Sequence, residues 1–133
     1  MIVDSSAVLA ILFAEPDSGR FAKAIMGETP CRMSAANALE SAIVVESKGG
    51  LTAGNQLDDL LKRAGMEVMP VTPSQFEVAR AAWRIYGKGN HPASFNFGDC
   101  FAYALAKTMG EPLLFKGKDF SQTDIEAARV EVF

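Results

Sequence analysis

The amino-terminal part of the sequence contains Ile2-Val3-Asp4-Ser5-Ser6-Ala7-Val8-Leu9, an apolar pair followed by an acid and then by a helix-like pattern. Ile2 and Val3 are β-branched and predict a short buried strand. Ser5 or Ser6 is a candidate cap for the helix that follows, in which apolar residues recur at helical spacing. A strand that passes directly into a helix is typical of α/β proteins with a parallel sheet.

The same alternation of strands and helices continues along the chain. Helices are predicted over about 16–27, 35–47, 51–64, 72–86 and 97–109, and strands over 31–33, 66–71, 112–115 and, at an edge, 127–133. The segment 117–124 is predicted to be a loop or a short helical turn. We therefore expect a single α/β domain over residues 1–133, a three-layer α/β/α sandwich with a mostly parallel central sheet.

Length and composition support one domain with a real core. The chain has 133 residues, of which 49% are hydrophobic, and no apolar run approaches the roughly 18 residues of a membrane span. The first residues carry no basic segment of the kind found in signal peptides. Cys31 and Cys100 form no plausible zinc set with His91, so we interpret them as buried, reduced side chains and expect a cytoplasmic protein.

The formal net charge of −3 disfavours a general nucleic-acid binder, which is usually basic. Four acids, Asp4, Glu40, Asp99 and Asp119, are candidates for a metal site. Without them the chain has 12 acidic residues against 13 Lys and Arg, so the rest of the chain is about neutral. Net charge alone therefore does not exclude a nucleic-acid substrate.

Two of these acids lie in the first half of the chain. Asp4 directly follows the first strand, where it either enters the crevice at the carboxyl end of the sheet or caps the next helix. Glu40 is the single charged residue between Met33 and Val45. It lies either at a solvent-facing rim or in a functional crevice.

The other two acids lie in the second half. Asp99 is near the start of a strongly apolar helix, where the helix dipole alone would stabilise it. Asp119 follows the predicted strand 112–115 by a short turn, and Asp124 is close enough in sequence to compete with it for the same role. We assign Asp119 to the site and Asp124 mainly to capping of the segment 125–128.

Three of the four acids follow a strand or begin a buried helix, so they converge on one edge of the predicted sheet. Carboxylates that converge repel each other unless they are protonated or bind a cation. An all-oxygen ligand set favours Mg²⁺ or Mn²⁺ over zinc. Such ions assist phosphodiester hydrolysis in nucleases, so the pattern predicts a metal-dependent nuclease.

The ordered motifs resemble the PIN-domain family, and within it the VapC toxins. The resemblance lies in Val3-Asp4-Ser5-Ser6-Ala7, Leu39-Glu40, Asn96-Phe97-Gly98-Asp99-Cys100-Phe101-Ala102-Tyr103-Ala104, and Pro112-Leu113-Leu114-Phe115-Lys116-Gly117-Lys118-Asp119-Phe120 with Thr123-Asp124. It implies a Mg²⁺-dependent endoribonuclease that cleaves single-stranded or loop RNA. Asp4, Glu40 and Asp99 carry over directly as metal-site acids, and Ser6 as an accessory polar group.

The fourth acid departs from the family pattern. Many members place an acid where this chain has Gly117, so Asp119 becomes the best candidate and Asp124 the reserve. The resemblance also implies a homodimer and a VapB-type antitoxin whose tail covers the pocket. Alternatives are a PIN-like nuclease of RNA processing outside a toxin–antitoxin pair, or a catalytically silent PIN-like binding module.

Two unrelated families also place acids at strand ends. A phosphatase of the haloacid dehalogenase type needs a second Asp where this chain has Ser6. A receiver domain needs an acidic pair near the amino terminus, which the single Asp4 does not provide. Both fit the sequence less well than the PIN-domain family does.

Basic residues near the acids are candidates for RNA contacts. Arg80, Arg84 and Lys88 recur every four residues along or just beyond the helix 72–86, and Lys116 and Lys118 flank Asp119. The alternative for the stripe is an ordinary solvated helix face. We expect His91 to be exposed or to contact RNA rather than to act as a base. The apolar residues of the same helix are assigned to the core or to a dimer surface: Phe76, Val78, Trp83 and Ile85.

Overall fold

The computed structural model describes residues 1–129, which form a parallel sheet flanked by helices. The strands are β1 (Ile2–Val3), β2 (Arg32–Ser34), β3 (Glu67–Met69) and β4 (Leu113–Leu114). The helices are α1 (Ser5–Leu12), α2 (Ser18–Ile25), α3 (Ala35–Arg63), α4 (Pro73–Tyr86) and α5 (Phe97–Met109). The predicted bounds of α4 and α5 are confirmed.

The sheet has the order β3-β2-β1-β4, and every pairing between these strands is parallel. Ile2 pairs with Arg32 on one side and with Leu113 on the other. Because the strands are parallel, their carboxyl ends meet at one edge. The turns that follow β1, β2 and β4 therefore emerge together, as predicted from the sequence.

Successive residues of the central strands point to opposite faces of the sheet. Ile2 and Leu113 join the core cluster formed with α4 and α5. Val3 and Leu114 join the cluster formed with α1, α2 and α3. The alternation separates the helices into two layers, which confirms the three-layer α/β/α sandwich.

The first helix is capped by Asp4, one of the candidates from the sequence, and the second helix begins later than predicted. The side chain of Asp4, not Ser5 or Ser6, caps α1 by accepting a hydrogen bond from the Ser6 amide. Both serines lie in the first turn of the helix. Their hydroxyls bond to distant parts of the chain. Helix α2 begins at Ser18, two residues later than expected from Pro16.

Helix α3 joins the two helices predicted over 35–47 and 51–64. Its backbone is interrupted at Gly50, where φ is 67° and ψ is −159°. Glycine adopts this conformation without the steric penalty of other residues. The predicted break at the glycine pair is therefore present as a kink within one continuous element, and no helix in residues 1–129 is long and apolar enough to cross a membrane.

The segment after β4 turns back along the sheet. A short 3-10 helix spans Phe120–Gln122, as expected for the segment 117–124. Ala127 then forms a parallel bridge with Leu113 on the free side of β4, in line with the predicted edge strand over 127–133. The last four positions of that strand lie outside the described residues.

Candidate active site

Asp4 lies at the carboxyl end of β1 and is almost fully buried, with 3% of its surface exposed. Its Oδ2 atom accepts a 3.0 Å hydrogen bond from the Ser6 amide, while Oδ1 is buried without a partner. The pKa of Asp4 is raised to about 6 because burial, together with the charge of Glu40, outweighs the hydrogen bonds from Ser6. Asp4 is thus both a helix cap and a buried acid, two roles that the sequence presented as alternatives.

Glu40 lies in the second turn of α3, partly buried against the start of α5. Its Oε1 atom accepts a 2.6 Å hydrogen bond from the Ser5 hydroxyl and a 3.3 Å bond from the Asn37 amide. A Cβ atom at position 98 would overlap the Glu40 carboxylate, so only glycine leaves room for it there. Glu40 therefore occupies a crevice between helices and not a solvent-facing rim.

Asp99 is the third residue of α5 and forms a capping box with Asn96. Asp99 Oδ2 accepts from the Asn96 amide and Asn96 Oδ1 accepts from the Asp99 amide, both at 3.0 Å. Burial raises the pKa of Asp99 to about 7, opposed by the Asn96 hydrogen bond and reinforced by the charges of Asp4, Asp119 and Glu40. The helix-start role is real, and the same carboxylate also faces the other candidate acids.

Asp119 lies on the exposed turn after β4 and makes no capping hydrogen bond. Gly117 adopts a positive φ of 99° in this turn, a conformation that favours glycine. The turn is fastened to α1 because the Lys116 amide donates a 2.9 Å hydrogen bond to Ser6 Oγ. Ser6 thus connects the elements that carry Asp4 and Asp119.

Asp124 has a different environment from Asp119. Its carboxylate accepts a 2.6 Å hydrogen bond from the Tyr103 hydroxyl and a 2.8 Å bond from Lys107 Nζ. Lys107 and Tyr103 hold the pKa of Asp124 below its usual value. The prediction that Asp124 caps 125–128 is wrong, because no helix forms there and the carboxylate is bound to α5.

The donor set suits a hard divalent cation that keeps part of its water. No three Asp, Glu, His or Cys side chains in residues 1–129 are arranged to hold a metal together, and Asp4, Glu40 and Asp99 each give one oxygen to a protein donor. The buried Oδ1 of Asp4, however, lacks any donor and is an oxygen that a cation or its water would satisfy. Direct ligation by few carboxylates, with the others reached through water, fits this arrangement.

The predicted basic residues divide into two groups. Arg80, Arg84 and Lys88 have exposed side chains, and Arg80 lies over the Phe76 ring with Glu77 as an ion-pair partner. The end of α4 reaches the start of α5 through a bridge between Gly87 and Phe95. Arg84 and Lys88 are therefore carried toward the end of α5 that holds Asp99.

The basic residues after β4 are not equivalent. Lys116 Nζ is paired with Glu15 at 2.7 Å and with Asp17 at 3.0 Å. These ion pairs link the turn after β4 to the segment between α1 and α2. Lys118 is exposed beside Asp119.

His91 is half-buried, so the expectation of an exposed side chain is wrong, and a contact with RNA stays a prediction. Its Nδ1 atom accepts a 2.9 Å hydrogen bond from the Ala93 amide, and its ring packs edge-on against Tyr86.

Sequence reasoning missed Ser5 and Asn37 as polar partners of Glu40. Ser5 was considered only as a helix cap, although its hydroxyl reaches across 35 residues. Asn37 precedes Glu40 by three residues, a helical spacing that places both side chains on one face. An amide in an otherwise apolar run was the signal available for it.

Comparison with known proteins identifies the family. The family model of the PIN domain matches residues 1–126. The chain belongs to the PIN-domain family. Among curated PIN-domain proteins, it is 49% identical to the VapC ribonuclease Mb0640 of Mycobacterium bovis over 94% of this chain and 95% of the relative. It is 48% identical to the ribonuclease VapC of Mycolicibacterium smegmatis over 96% and 98% of the two chains.

Solved structures support the PIN fold at low sequence identity. VapC20 of Mycobacterium tuberculosis, described as a toxin that cleaves the sarcin-ricin loop, aligns with a TM-score of 0.77 at 18% identity, over 96% of this chain and 98% of that one. A chain of VapBC2 from Rickettsia felis, solved with a promoter DNA fragment, aligns with a TM-score of 0.76 at 13% identity, over 98% of both chains. The VapC ribonucleases are thus the group of the PIN-domain family that this chain resembles in sequence and in fold.

Proposed function

We propose that this protein is the toxin of a VapBC-type toxin–antitoxin pair, a Mg²⁺-dependent endoribonuclease that acts in the cytoplasm. Relatives of nearly half identical sequence are named ribonucleases over almost their whole length. Divalent-metal dependence is general among PIN-domain ribonucleases of this type, and Mg²⁺ suits the all-oxygen donor set. The free, buried state of Cys31 and Cys100 agrees with a reducing compartment.

The observation that carries the proposal is the convergence of buried, mutually repelling carboxylates at one sheet edge. Asp4 and Asp99 have raised pKa values, and the charges of Glu40 and Asp119 contribute to them. Folding brings these acids together although the charge of Glu40 raises the pKa of Asp4 and the charges of Asp4, Glu40 and Asp119 raise that of Asp99, an arrangement typical of functional sites. Binding a divalent cation relieves the repulsion.

The acidic and basic residues of the site would have different roles in the reaction. Asp4, Glu40 and Asp99 would hold the cation, and Asp119 would add the fourth carboxylate from the exposed turn after β4. A divalent cation held there would supply an activated water and stabilise charge on the phosphate. The exposed Arg84, Lys88 and Lys118 would orient the RNA backbone, with Arg80 at the far end of the stripe.

The proposal is tested by cleavage of single-stranded and stem-loop RNA by the purified protein. Cleavage should require Mg²⁺ or Mn²⁺, stop on addition of EDTA and return when excess metal is restored. Glu40→Gln should abolish it, and the exposed Glu46→Gln on the same helix is the control. RNA that binds but is not cut under any divalent metal would point to a catalytically silent binding module.

Two protein partners follow from the same proposal. The solved relatives include toxin–antitoxin complexes from Klebsiella pneumoniae and Rickettsia felis, which supports a VapB-type antitoxin for this chain. A cationic antitoxin side chain would bind among the site acids and compete with the metal. Co-expression with the neighbouring antitoxin gene should suppress cleavage and yield a stable complex.

A homodimer is proposed from the apolar surface near the site. Phe97 is 80% exposed, and Phe76, Trp83 and Ile85 of α4 are about half exposed, so these three are not core residues. Val78 of the same helix packs against the core. Sedimentation equilibrium should give twice the mass of one chain, and Phe97→Lys should shift it toward the monomer.

A further inference from the structure

Asn37 is a fully buried polar residue at the junction of α3 and α5, with no exposed surface. Its Nδ2 atom donates a 3.0 Å hydrogen bond to the Gly98 carbonyl and a 3.3 Å bond to Glu40 Oε1. One amide group thus contacts both the site acid of α3 and the residue immediately before Asp99. The buried amide joins the two helices that present these acids.

The orientation of the amide is determined by its neighbours. A flipped side chain would place Oδ1 against the Gly98 carbonyl and the Glu40 carboxylate, and three oxygens would repel each other. With Nδ2 in that place, Oδ1 remains buried without a partner. Leaving a buried acceptor unpaired is unfavourable, so the contacts of Nδ2 must outweigh that loss.

The unpaired oxygens are concentrated at one place in the molecule. Among buried side-chain nitrogen and oxygen atoms of residues 1–129, those without a partner are Asp4 Oδ1 and Asn37 Oδ1. Both residues are linked to Glu40, Asp4 through the adjacent Ser5 and Asn37 directly. A structural amide would be expected to satisfy its acceptor, whereas one that serves a ligand site need not.

Glu40 has its two oxygens in different environments. Oε1 is held by Ser5 and Asn37, while Oε2 lies against the backbone of Gly98 and accepts no hydrogen bond from the described residues. Fixing Oε1 sets the direction of Oε2. We infer that Asn37 is a positioning residue, which holds Glu40 against the start of α5 so that its free oxygen is directed to a divalent cation.

The inference rests on the proposed function, because it assumes that Glu40 binds the cation. Outer partners of metal ligands typically change metal affinity by about 10–100-fold when they are removed. Asn37→Ala should therefore weaken Mn²⁺ binding about 10-fold or more. The affinity is measured from the electron paramagnetic resonance signal of free Mn²⁺. The exposed Asn55→Ala on the same helix is the matched control and should leave the affinity unchanged.

A double-mutant cycle separates positioning from general support of the fold. If Asn37 acts through Glu40, Asn37→Ala should change Mn²⁺ affinity less than about 2-fold in a Glu40→Gln background. Thermal melting is recorded for each variant, and Asn37→Ser replaces Asn37→Ala if the latter does not fold. A lower melting temperature with unchanged Mn²⁺ affinity overturns the inference, as does an equal loss of affinity in both backgrounds.

The same variants distinguish failure of the proposed metal site from failure of the inference about Asn37. If Glu40→Gln leaves both Mn²⁺ affinity and RNA cleavage unchanged, the proposed site fails and the inference fails with it. If Glu40→Gln weakens both while Asn37→Ala weakens neither, the inference alone is wrong.

Discussion

The Tyr103 hydroxyl donates a 2.6 Å hydrogen bond to Asp124 Oδ1, and this contact separates the two acids that follow β4. Tyr103 lies on the buried face of α5, and its hydroxyl reaches Asp124 at the edge of the core. Asp124 serves this hydroxyl and Lys107, whereas Asp119 remains on the exposed turn with its charge acting on Asp99. We therefore expect substitutions of Asp119 and of Asp124 to have different effects.

Asp124→Ala should lower stability and leave the RNA cleavage rate of the folded protein nearly unchanged. Removing the carboxylate leaves a buried hydroxyl unpaired, which destabilises by about 1–3 kcal/mol. Urea unfolding measures the effect, and Tyr103→Phe with Asp124→Ala should restore part of it. Loss of cleavage at full stability would instead make Asp124 a site acid.

Asp119→Ala should lose most of the cleavage activity while one tight Mn²⁺ site is retained. Asp119 adds a fourth charge at the exposed side of the pocket, and the buried Asp4, Glu40 and Asp99 remain. Mn²⁺ titration and the initial cleavage rate are the two measurements, with Asp58→Ala on α3 as an exposed control. An unchanged rate would remove Asp119 from the site.

Asp99→Asn should abolish cleavage and stabilise the protein in EDTA at high pH. The pKa of Asp99 is raised from 3.8 to about 7, so the folded state binds the proton more tightly than the unfolded state. Stability from this group is complete below about pH 4 and is lost as pH rises toward 7, with an upper limit on the order of 4 kcal/mol. Asparagine keeps the acceptor for the Asn96 amide and carries no charge.

The measurement for this variant is thermal melting in EDTA at pH 5 and pH 8. The melting temperature of Asp99→Asn should exceed that of the wild type at pH 8, and the difference should shrink at pH 5. Asp58→Asn, on the exposed surface of α3, should show no such dependence. Wild-type cleavage by Asp99→Asn would mean that Asp99 is only a helix-start acid.

Gly98→Ala should impair metal binding far more than it impairs folding. The three atoms nearest to the added Cβ all belong to the end of the Glu40 side chain, so Glu40 can swing away while α5 gains helix propensity. Gly19→Ala in α2, where a Cβ meets no atom within 4 Å, is the control. Mn²⁺ affinity reduced with the melting temperature nearly unchanged is the expected result, and normal affinity contradicts it.

Arg84→Ala should weaken RNA binding and reduce its salt dependence with little effect on cleavage at saturating RNA. A phosphate contact releases counterions, so its loss lowers the slope of log affinity against log salt by about 1. The exposed Arg63→Ala at the far end of α3 is the control. An unchanged slope would assign the stripe of Arg80, Arg84 and Lys88 to an ordinary solvated surface.

The fold was predictable where local signals agree with tertiary packing. Helix α4 has a capping threonine before a proline, and helix α5 is closed by Gly110 in the left-handed conformation, so both were bounded correctly from sequence. The parallel sheet followed from the alternation of strands and helices. A common edge for Asp4 and the turn of Asp119 then followed from strand direction, and Asp99 was placed there from its position at the start of a buried helix.

Candidate site residues could be selected from the sequence, but the contacts they make could not. Asp4 and Ser5 are both good caps, and sequence does not reveal that Ser5 is used by Glu40 from 35 residues away. The roles of Asn37 and Gly98 likewise depend on how closely α3 and α5 approach. Such contacts between distant segments are set by packing, which local propensity does not encode.

The central place of β1 in the sheet has a consequence for synthesis of the chain. Ile2 pairs with Leu113. Strand β1 therefore cannot complete its pairing until β4 is synthesised, more than a hundred residues later. Until β4 joins it, the turn that carries Asp119 has no anchor at Ser6. A growing chain therefore contains Asp4, Glu40 and Asp99 before the turn of Asp119 is in place, and we expect it to be inactive until β4 has joined the sheet.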